Sequence, residues 1–382
     1  MKTETAKGFK DYLGEEAEKR EKITEIIKEV FKSYGFEPAE TPIIEYEEFV
    51  KGDNEKDEAV SDIFKLEDKG KRKLALRYEL TFSLKRIAKQ QKIPYRRYQI
   101  GSVFRDEPVS ANRFRQFTQA DADIIGSSLK DDAEIMKIAS DVMEKLGIKC
   151  EIFFNNRKLL NEILEELKIQ KKDKSQVLKE IDKLDKLPEK QVAGALKKFN
   201  AEKILGIMKN PEKCRRYSFY REIEEVEKFC RFFNVRAIFL PSLARGLSYY
   251  NGTVFEIKTK EIKETITAGG SYTFNNIQST GISFGIDRIS QLAKIEPDKI
   301  DYLVLSIGKD KEAVKIAEKL RTDRKVQLMM DKSPSKALDY ANSKKIKNVV
   351  FVGEDEVKKK KFKIKNMETG KEIFLSEKEF FD

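Results

Sequence analysis

Arg96-Arg97-Tyr98-Gln99-Ile100-Gly101-Ser102-Val103-Phe104-Arg105-Asp106-Glu107 opens the stretch that decides the fold; it continues through Arg113-Phe114-Arg115-Gln116-Phe117-Thr118-Gln119 to Asp121, Asp123 and Gly126. Tyr98, Ile100, Val103 and Phe104 are apolar or aromatic without helical spacing, so the first half reads as a strand. Pro108 to Asn112 reads as a turn, and Gln116 to Ile125 as a returning strand. The stretch is therefore a hairpin with arginines on both arms and carboxylates behind them. Arginine suits phosphate because its planar fork makes paired, charge-assisted hydrogen bonds. One arginine alone would read as a solvated basic face. Arg97, Arg105, Arg113 and Arg115 together, set among aromatics and acids, point to a polyanion pocket.

Working outward, 382 residues predict two or three domains with ample cores. No apolar run is long enough to span a membrane, and Met1–Lys10 is polar, so neither membrane anchoring nor a secretory signal is expected. Cys150, Cys214 and Cys230 lack metal-site spacing and suit free thiols in a cytoplasmic protein. The chain contains no histidine, which removes imidazole metal ligands, Ser-His-Asp triads and histidine general bases. No protein-held metal site is expected. Chemistry must run on carboxylates, arginines, lysines, backbone groups or bound ions.

The net charge of +11 is unevenly spread. Residues 157–235 hold 20 Lys and Arg against 14 Asp and Glu, residues 300–382 hold 20 against 15, and the remainder 37 of each. A neutral body with two basic flanks fits an anionic polymer as partner. Lysine enrichment from a biased genome or a warm habitat is the competing reading.

Glu15 to Tyr34 reads as an amphipathic helix, with Ile23, Ile26, Ile27, Val30 and Phe31 at helical spacing and Gly35 as its stop. Thr41-Pro42-Ile43-Ile44-Glu45 is extended, since Pro42 disfavours helix before it. Lys51 to Lys73 reads as a charged loop, Leu74 to Thr81 as a strand, and Phe82 to Gln90 as a helix. A helix over Asp131–Leu146 and a strand over Cys150–Phe154 follow. Residues 157–235 turn lysine-rich and helical and read as an insertion between 1–156 and 236–299, which look like one domain. From Ile300 onward, strands and helices alternate, closing in a hairpin at Thr369-Gly370; this predicts a small α/β domain over 300–382.

Glycines recur where a ligand could approach backbone: Gly246, Gly252, Gly269-Gly270, Gly281 and Gly285. Arg288 opens a helix, where phosphate is favoured. Neither a Gly-x-x-x-x-Gly-Lys-Ser/Thr loop nor a dinucleotide fingerprint is present. Any nucleotide would therefore bind on a sheet, through arginines.

These residues carry a resemblance. Thr41-Pro42-Ile43-Ile44-Glu45, Phe104-Arg105-Asp106-Glu107 and Gly285-Ile286-Asp287-Arg288 resemble the three motifs of class II aminoacyl-tRNA synthetases. Arg245-Gly246-Leu247-Ser248-Tyr249-Tyr250, Ala268-Gly269-Gly270-Ser271-Tyr272 and Leu76-Arg77-Tyr78-Glu79-Leu80-Thr81 resemble signatures of the histidyl-tRNA synthetase family. The resemblance spans the chain. It implies an α+β fold: a class II catalytic core with an antiparallel sheet and flanking helices, a helical insertion, and a C-terminal α/β anticodon-binding domain. It also implies a homodimer that takes ATP with Mg²⁺, L-histidine and tRNA(His).

By the same resemblance Glu79, Thr81 and Gln119 would hold the substrate α-amino group. Asp123, Tyr249, Tyr250 and Tyr272 would surround the imidazole. Arg105 and Arg245 would be catalytic, at the substrate carboxylate and α-phosphate. Glu107, Arg113 and Arg288 would complete the ATP site. Ser248 stands where the family has aspartate, Ser271 where it has arginine and Tyr78 where it has proline, which bears on the placing of Arg245 and the pocket edge. Two other classes remain open: a non-catalytic paralogue that binds histidine and regulates ATP phosphoribosyltransferase, and a tRNA-binding accessory protein.

Overall fold

The computed structural model describes residues 3–52, 60, 62–110, 113–244, 249–262 and 264–381. The chain divides into two compact units, Met1–Ile295 and Glu296–Asp382.

The strands of the first unit are β1 (Glu37–Pro38), β2 (Ile44–Tyr46), β3 (Lys65–Glu67), β4 (Lys73–Leu76), β5 (Tyr95–Phe104), β6 (Gln116–Ile125), β7 (Glu151–Asn156), β8 (Ala237–Phe239), β9 (Tyr250–Lys258), β10 (Thr267–Phe274) and β11 (Ile277–Gly285). Eight of them form one sheet in the order β1-β5-β6-β11-β10-β9-β7-β8. Pairing is antiparallel from β5 across to β7 and parallel at the two edges. β2, β4 and β3 form a small sheet of their own. The hairpin is β5–β6, with Arg97 opposite Asp123, Gln99 opposite Asp121 and Gly101 opposite Gln119.

Side chains alternate along a strand, so each face of the sheet has its own composition. Tyr98, Ile100, Ala120, Ala122, Ile124, Ile282 and Phe284 share one face. There they join Ile23, Ile27 and Phe31 of helix α1 (Gly14–Ser33) and Ile135, Ala139 and Val142 of helix α2 (Leu129–Lys145) in one buried cluster. The Phe31 ring lies 5.7 Å from Tyr98 and 5.9 Å from Phe284. Gly35, with φ +74°, ends the chain's first helix as its position predicts. The opposite face carries Arg97, Gln99, Gln119, Asp121, Asp123 and Ser283, and it becomes the site.

The segment 157–235 is helical as read. It holds Arg157–Glu166, Lys174–Asp182, Glu189–Lys197 directly after Pro188, and helix α3 (Tyr220–Phe232). Leu160, Ile163, Val177, Ile223 and Val226 bury into the same cluster as the apolar sheet face. The expected loop over Lys51–Lys73 contains β3, and its residues 53–59 and 61 lie outside the described ones.

The second unit is a five-stranded mixed sheet of β12 (Tyr302–Ser306), β13 (Val326–Met329), β14 (Asn348–Val352), β15 (Lys361–Asn366) and β16 (Glu372–Ser376), in the order β13-β12-β14-β15-β16. Both faces are covered, which explains strands that read as continuous apolar runs. Val304, Val350 and Val352 pack against Ala313, Ile316 and Ala317 of helix Asp310–Leu320. Leu303, Leu305 and Val349 pack against Ala337 and Ala341 of helix Pro334–Ser343. The β15–β16 turn uses Gly370 at φ +70°. Among the described residues no helix is long and apolar enough to cross a membrane.

Candidate active site

The deepest part of the polar face is centred on Asp123. On β5, Arg97 places its Nη2 2.9 Å from Asp123 Oδ2, with both side chains buried. From β10, the Tyr272 hydroxyl donates to Asp123 Oδ1 at 2.6 Å. Gly281 of β11 stands opposite Asp123 in register. A Cβ at position 281 would come 2.2 Å from Asp123 Oδ1, so the carboxylate occupies the space a side chain would take. Tyr249 packs 5.0 Å from Tyr250 and 5.6 Å from Tyr272, closing an aromatic wall beside that carboxylate.

Burial raises the pKa of all three tyrosines, and nearby carboxylates add to it, so each keeps its proton and can donate. Burial also raises Asp123, opposed by Arg97 and by the Tyr272 hydrogen bond. Asp121, two residues back on the same face, is pushed up to about 7 by burial, opposed by Arg97 and raised further by Asp123. Such a floor suits a ring that presents an N–H to the Asp123 carboxylate.

A cleft of ≈ 410 Å³ opens next to it, lined by Arg105, Glu107, Arg113, Phe117, Gln119, Tyr250 and Arg288 among others. The Arg105 guanidinium lies 5.1 Å from the Phe117 ring centre, and its Nε donates to Tyr78 O at 3.1 Å. Glu107 is 3.8 Å from both Arg105 and Arg113. Gln119 donates to Ser283 Oγ at 2.6 Å, which aims its side chain across β11. Arg288 donates to the Thr265 carbonyl. Its helix, α4 (Ile286–Leu292), is short, so the guanidinium rather than the helix end is what faces the cleft. The neighbouring Asp287 is a strut: it accepts from Tyr12 at 2.5 Å, Arg20 at 2.9 Å and Thr118 N at 2.8 Å.

Glu79 is buried beside the tyrosines, whose hydroxyls its charge raises. Thr81 is half-buried at the turn into helix Leu84–Ile87. The backbone of this segment is pinned from below, with Arg97 Nη2 donating to Leu80 O at 3.1 Å and Arg105 to Tyr78 O.

Two sequence expectations need correction. Of the four hairpin arginines, Arg105 and Arg113 line the cleft, while Arg97 is sealed beneath it and Arg115 pairs with Asp106 at 2.9 Å. Position along the strand is the reason: Arg97 sits near the start of β5, paired with Asp123 and capped by the Leu80 carbonyl, whereas Arg105 follows the other end of β5 on the same face and opens to the cleft. Ser271 does not edge the pocket. It lies on the far face, where its hydroxyl is 2.8 Å from both carboxylate oxygens of buried Asp132 on α2. Arg245 and Ser248 lie outside the described residues. Sequence reasoning missed the parts played by Arg97, Asp121 and Asp132. The i, i+2 spacing of Gln119, Asp121 and Asp123 on a strand was the available signal for Asp121.

A family model described as histidyl-tRNA synthetase matches residues 8–289, and an anticodon binding domain model matches residues 301–382. Histidine--tRNA ligase 2 of Shouchella clausii is 35% identical over 412 residues, covering 97% of this chain and 97% of the relative. Histidine--tRNA ligase 1 of Bacillus cereus is 34% identical over 415 residues, covering 98% and 95%. Among solved structures, histidyl-tRNA synthetase from Nostoc sp. superposes with TM-score 0.87 at 25% identity, covering 98% of this chain and 97% of that one. An ATP phosphoribosyltransferase regulatory subunit/histidyl-tRNA synthetase from Bacillus halodurans shares the fold, with TM-score 0.78 at 18% identity over 92% of this chain and 98% of that one.

Proposed function

The chain belongs to the histidyl-tRNA synthetase family, and on that premise we infer that it activates histidine with ATP and transfers the histidyl group to the 3′ end of tRNA(His). The observation that carries the substrate assignment is Asp123, clamped by Arg97 and Tyr272 opposite Gly281 and contiguous with an arginine-lined cleft. A buried carboxylate that must find an N–H rejects apolar analogues, because they would leave it unpaired.

In the first step the histidine carboxylate attacks the α-phosphorus in line. Charge grows on the non-bridging and leaving oxygens, and preorganised cations stabilise it with little need for a general base. Arg105 is suited to the carboxylate and α-phosphate, Arg113 and Arg288 to the outer phosphates and base, and Glu107 to their orientation. Arg245 would add a cation at the α-phosphate. Glu79, Thr81 and Gln119 would take the α-ammonium, and Tyr249, Tyr250 and Tyr272 would enclose the ring.

Mg²⁺ binds through hard oxygens, one or two carboxylates plus substrate phosphates. Glu107 and Glu256, which line the cleft, fit that donor set. The ion would supply charge neutralisation on the phosphates. Residues 1–156 and 236–299 would then be the catalytic core, 157–235 an insertion and 300–382 the anticodon-binding part. Ile43, Ile44 and Tyr46, 44%, 49% and 51% exposed, are an apolar strip suited to a homodimer contact. A cytoplasmic location follows from the role in protein synthesis.

Amino-acid-dependent ATP–pyrophosphate exchange tests the reading. Histidine alone should support exchange, and Arg105→Ala should reduce it by about 10²–10³. Histidine binding without any exchange would instead favour a regulatory paralogue.

A further inference from the structure

The site floor contains two carboxylates and one guanidinium that none of the roles above uses together. Asp121 and Asp123 are i, i+2 on β6, about 7 Å apart along the strand and on one face. Both are buried. Arg97 is completely buried, and its Nη2 holds Asp123 Oδ2 and the Leu80 carbonyl. Its Nε and Nη1 have no hydrogen-bond partner, and neither do Asp121 Oδ1 and Asp123 Oδ2, so Arg97 meets Asp123 as an ion pair at 2.9 Å. Arginine cannot shed its proton. A permanent cation has therefore been sealed under a pocket without a full set of partners. Its near neighbours are two like charges that would otherwise repel each other and be protonated.

We propose that Arg97 is a positioning residue for the substrate side chain: it keeps Asp123 charged and aimed at the ring N–H against the like charge of Asp121, and so sets histidine selectivity without touching the substrate. This rests on the function proposed above. The charged and titratable groups around the pair are Arg97 on β5, Arg105 beyond its end, Arg77 after β4, Glu79, Tyr250 on β9 and Tyr272 on β10. Arg105 and Arg77 act on Asp121. Arg97 is the cation that acts on both carboxylates, and the Tyr272 hydroxyl fixes the other oxygen of Asp123. Burial is the first reason Asp123 needs Arg97, and the like charge of Asp121 on the same face adds to it, so removing Asp121 should restore part of what the loss of Arg97 costs.

The test compares Arg97→Met with the pair Arg97→Met/Asp121→Asn in the full-length chain, by histidine-dependent pyrophosphate exchange. In the single variant Asp123 becomes harder to ionise. KM for histidine should rise about tenfold for each unit by which its pKa passes the assay pH. KM for ATP and kcat should stay within a few-fold. The sign follows from an acid: raising pH ionises more Asp123, so KM in the single variant should fall with pH more steeply than in the unaltered chain. The double variant should recover part of the histidine KM, which a merely structural arginine would not allow.

An unchanged KM in a folded Arg97→Met overturns the proposal. So does a double variant that fails to fold, or that folds with histidine KM as high as the single. If Arg97→Met alone fails to fold, recovery of fold and KM in the double variant supports it. Absence of exchange in the unaltered chain would sink the proposed function instead.

Discussion

Gly281→Ala adds one methyl group to the floor of the site, and the structure says what that methyl meets. The new Cβ would lie 2.2 Å from Asp123 Oδ1, 2.8 Å from its carboxyl carbon and 2.9 Å from Ala122 O. Ordinary contact at such a pair needs about 3.4 Å, so the carboxylate must move by about 1 Å. It cannot rotate freely, because Tyr272 holds Oδ1 at 2.6 Å and Arg97 holds Oδ2 at 2.9 Å. The displaced carboxylate no longer faces the substrate ring. Losing one hydrogen bond to a charged group costs roughly 1.5–3 kcal/mol, which is about a ten- to hundredfold rise in KM for histidine. Crowding should also lower stability by roughly 1–3 kcal/mol. KM for ATP should hardly change, since Gly281 is not among the residues lining the cleft. Exchange kinetics at varied histidine and varied ATP separate these effects. Histidine KM within twofold of the unaltered chain, in a folded variant, would refute the placement of Asp123 at the substrate ring.

Ser271→Ala should cost about 1–3 kcal/mol in urea unfolding, because it strips a hydroxyl from buried Asp132; histidine KM should stay put, since the change is on the far face. Gly194→Ala, inside helix Glu189–Lys197 with nothing within 4 Å of the added Cβ, should stabilise by up to about 1 kcal/mol through helix propensity and leave exchange kinetics unchanged. Asp132 is pushed up to about 6 by burial, against the nearby Thr253 and Thr280 hydroxyls and the hydrogen bond from Ser271. Between its ordinary 3.8 and about 6 the folded chain keeps a proton that the unfolded chain releases, so this stability is present at low pH and is lost as pH rises through that window. Asp132→Asn should remove up to about 1.4 kcal/mol per pH unit of that slope; an unaltered slope in urea titrations from pH 4 to 7 would contradict the assignment.

The hairpin, the helix before it and the alternation of the C-terminal unit were legible because local pattern settles them. Period-2 polarity marks β5 and β6, period-3.6 apolarity marks α1, and Gly126 and Gly35 follow β6 and α1. What could not be read was direction. Arg97 and Arg105 are equally arginine in the sequence. The two share strand parity, and which one is left open depends on its place along β5 and on what covers it: the Leu80 carbonyl caps Arg97, while Arg105 lines the cleft, and the Asp123 partner of Arg97 is set against β11, from more than 150 residues further along. Ser271 misled because its parity could not be tied to a face: it lies between Gly270 and Tyr272 on β10, in unbroken register with β11, so alternation turns it away from Tyr272 and the ring. The segment 157–235 was read as separate from its composition, yet its apolar residues share the core of the sheet. Surface charge says little about which core a helix joins.

The absence of histidine from the chain sharpens what the site can be asked. Imidazoles in a protein titrate near neutral pH and would hide the titration of an imidazole ligand. Among the described residues, carboxylates are raised toward that range, Asp121 to about 7 and Asp132 to about 6 on opposite faces of one sheet. They are separable by the far-face substitution, which should leave the ligand's titration untouched. Any further ring signal near neutral pH must come from bound histidine itself. The face that stabilises the sheet and the face proposed to read the substrate are thus chemically distinguishable, because strand alternation turns Asp121 to one and helix α2 brings Asp132 to the other.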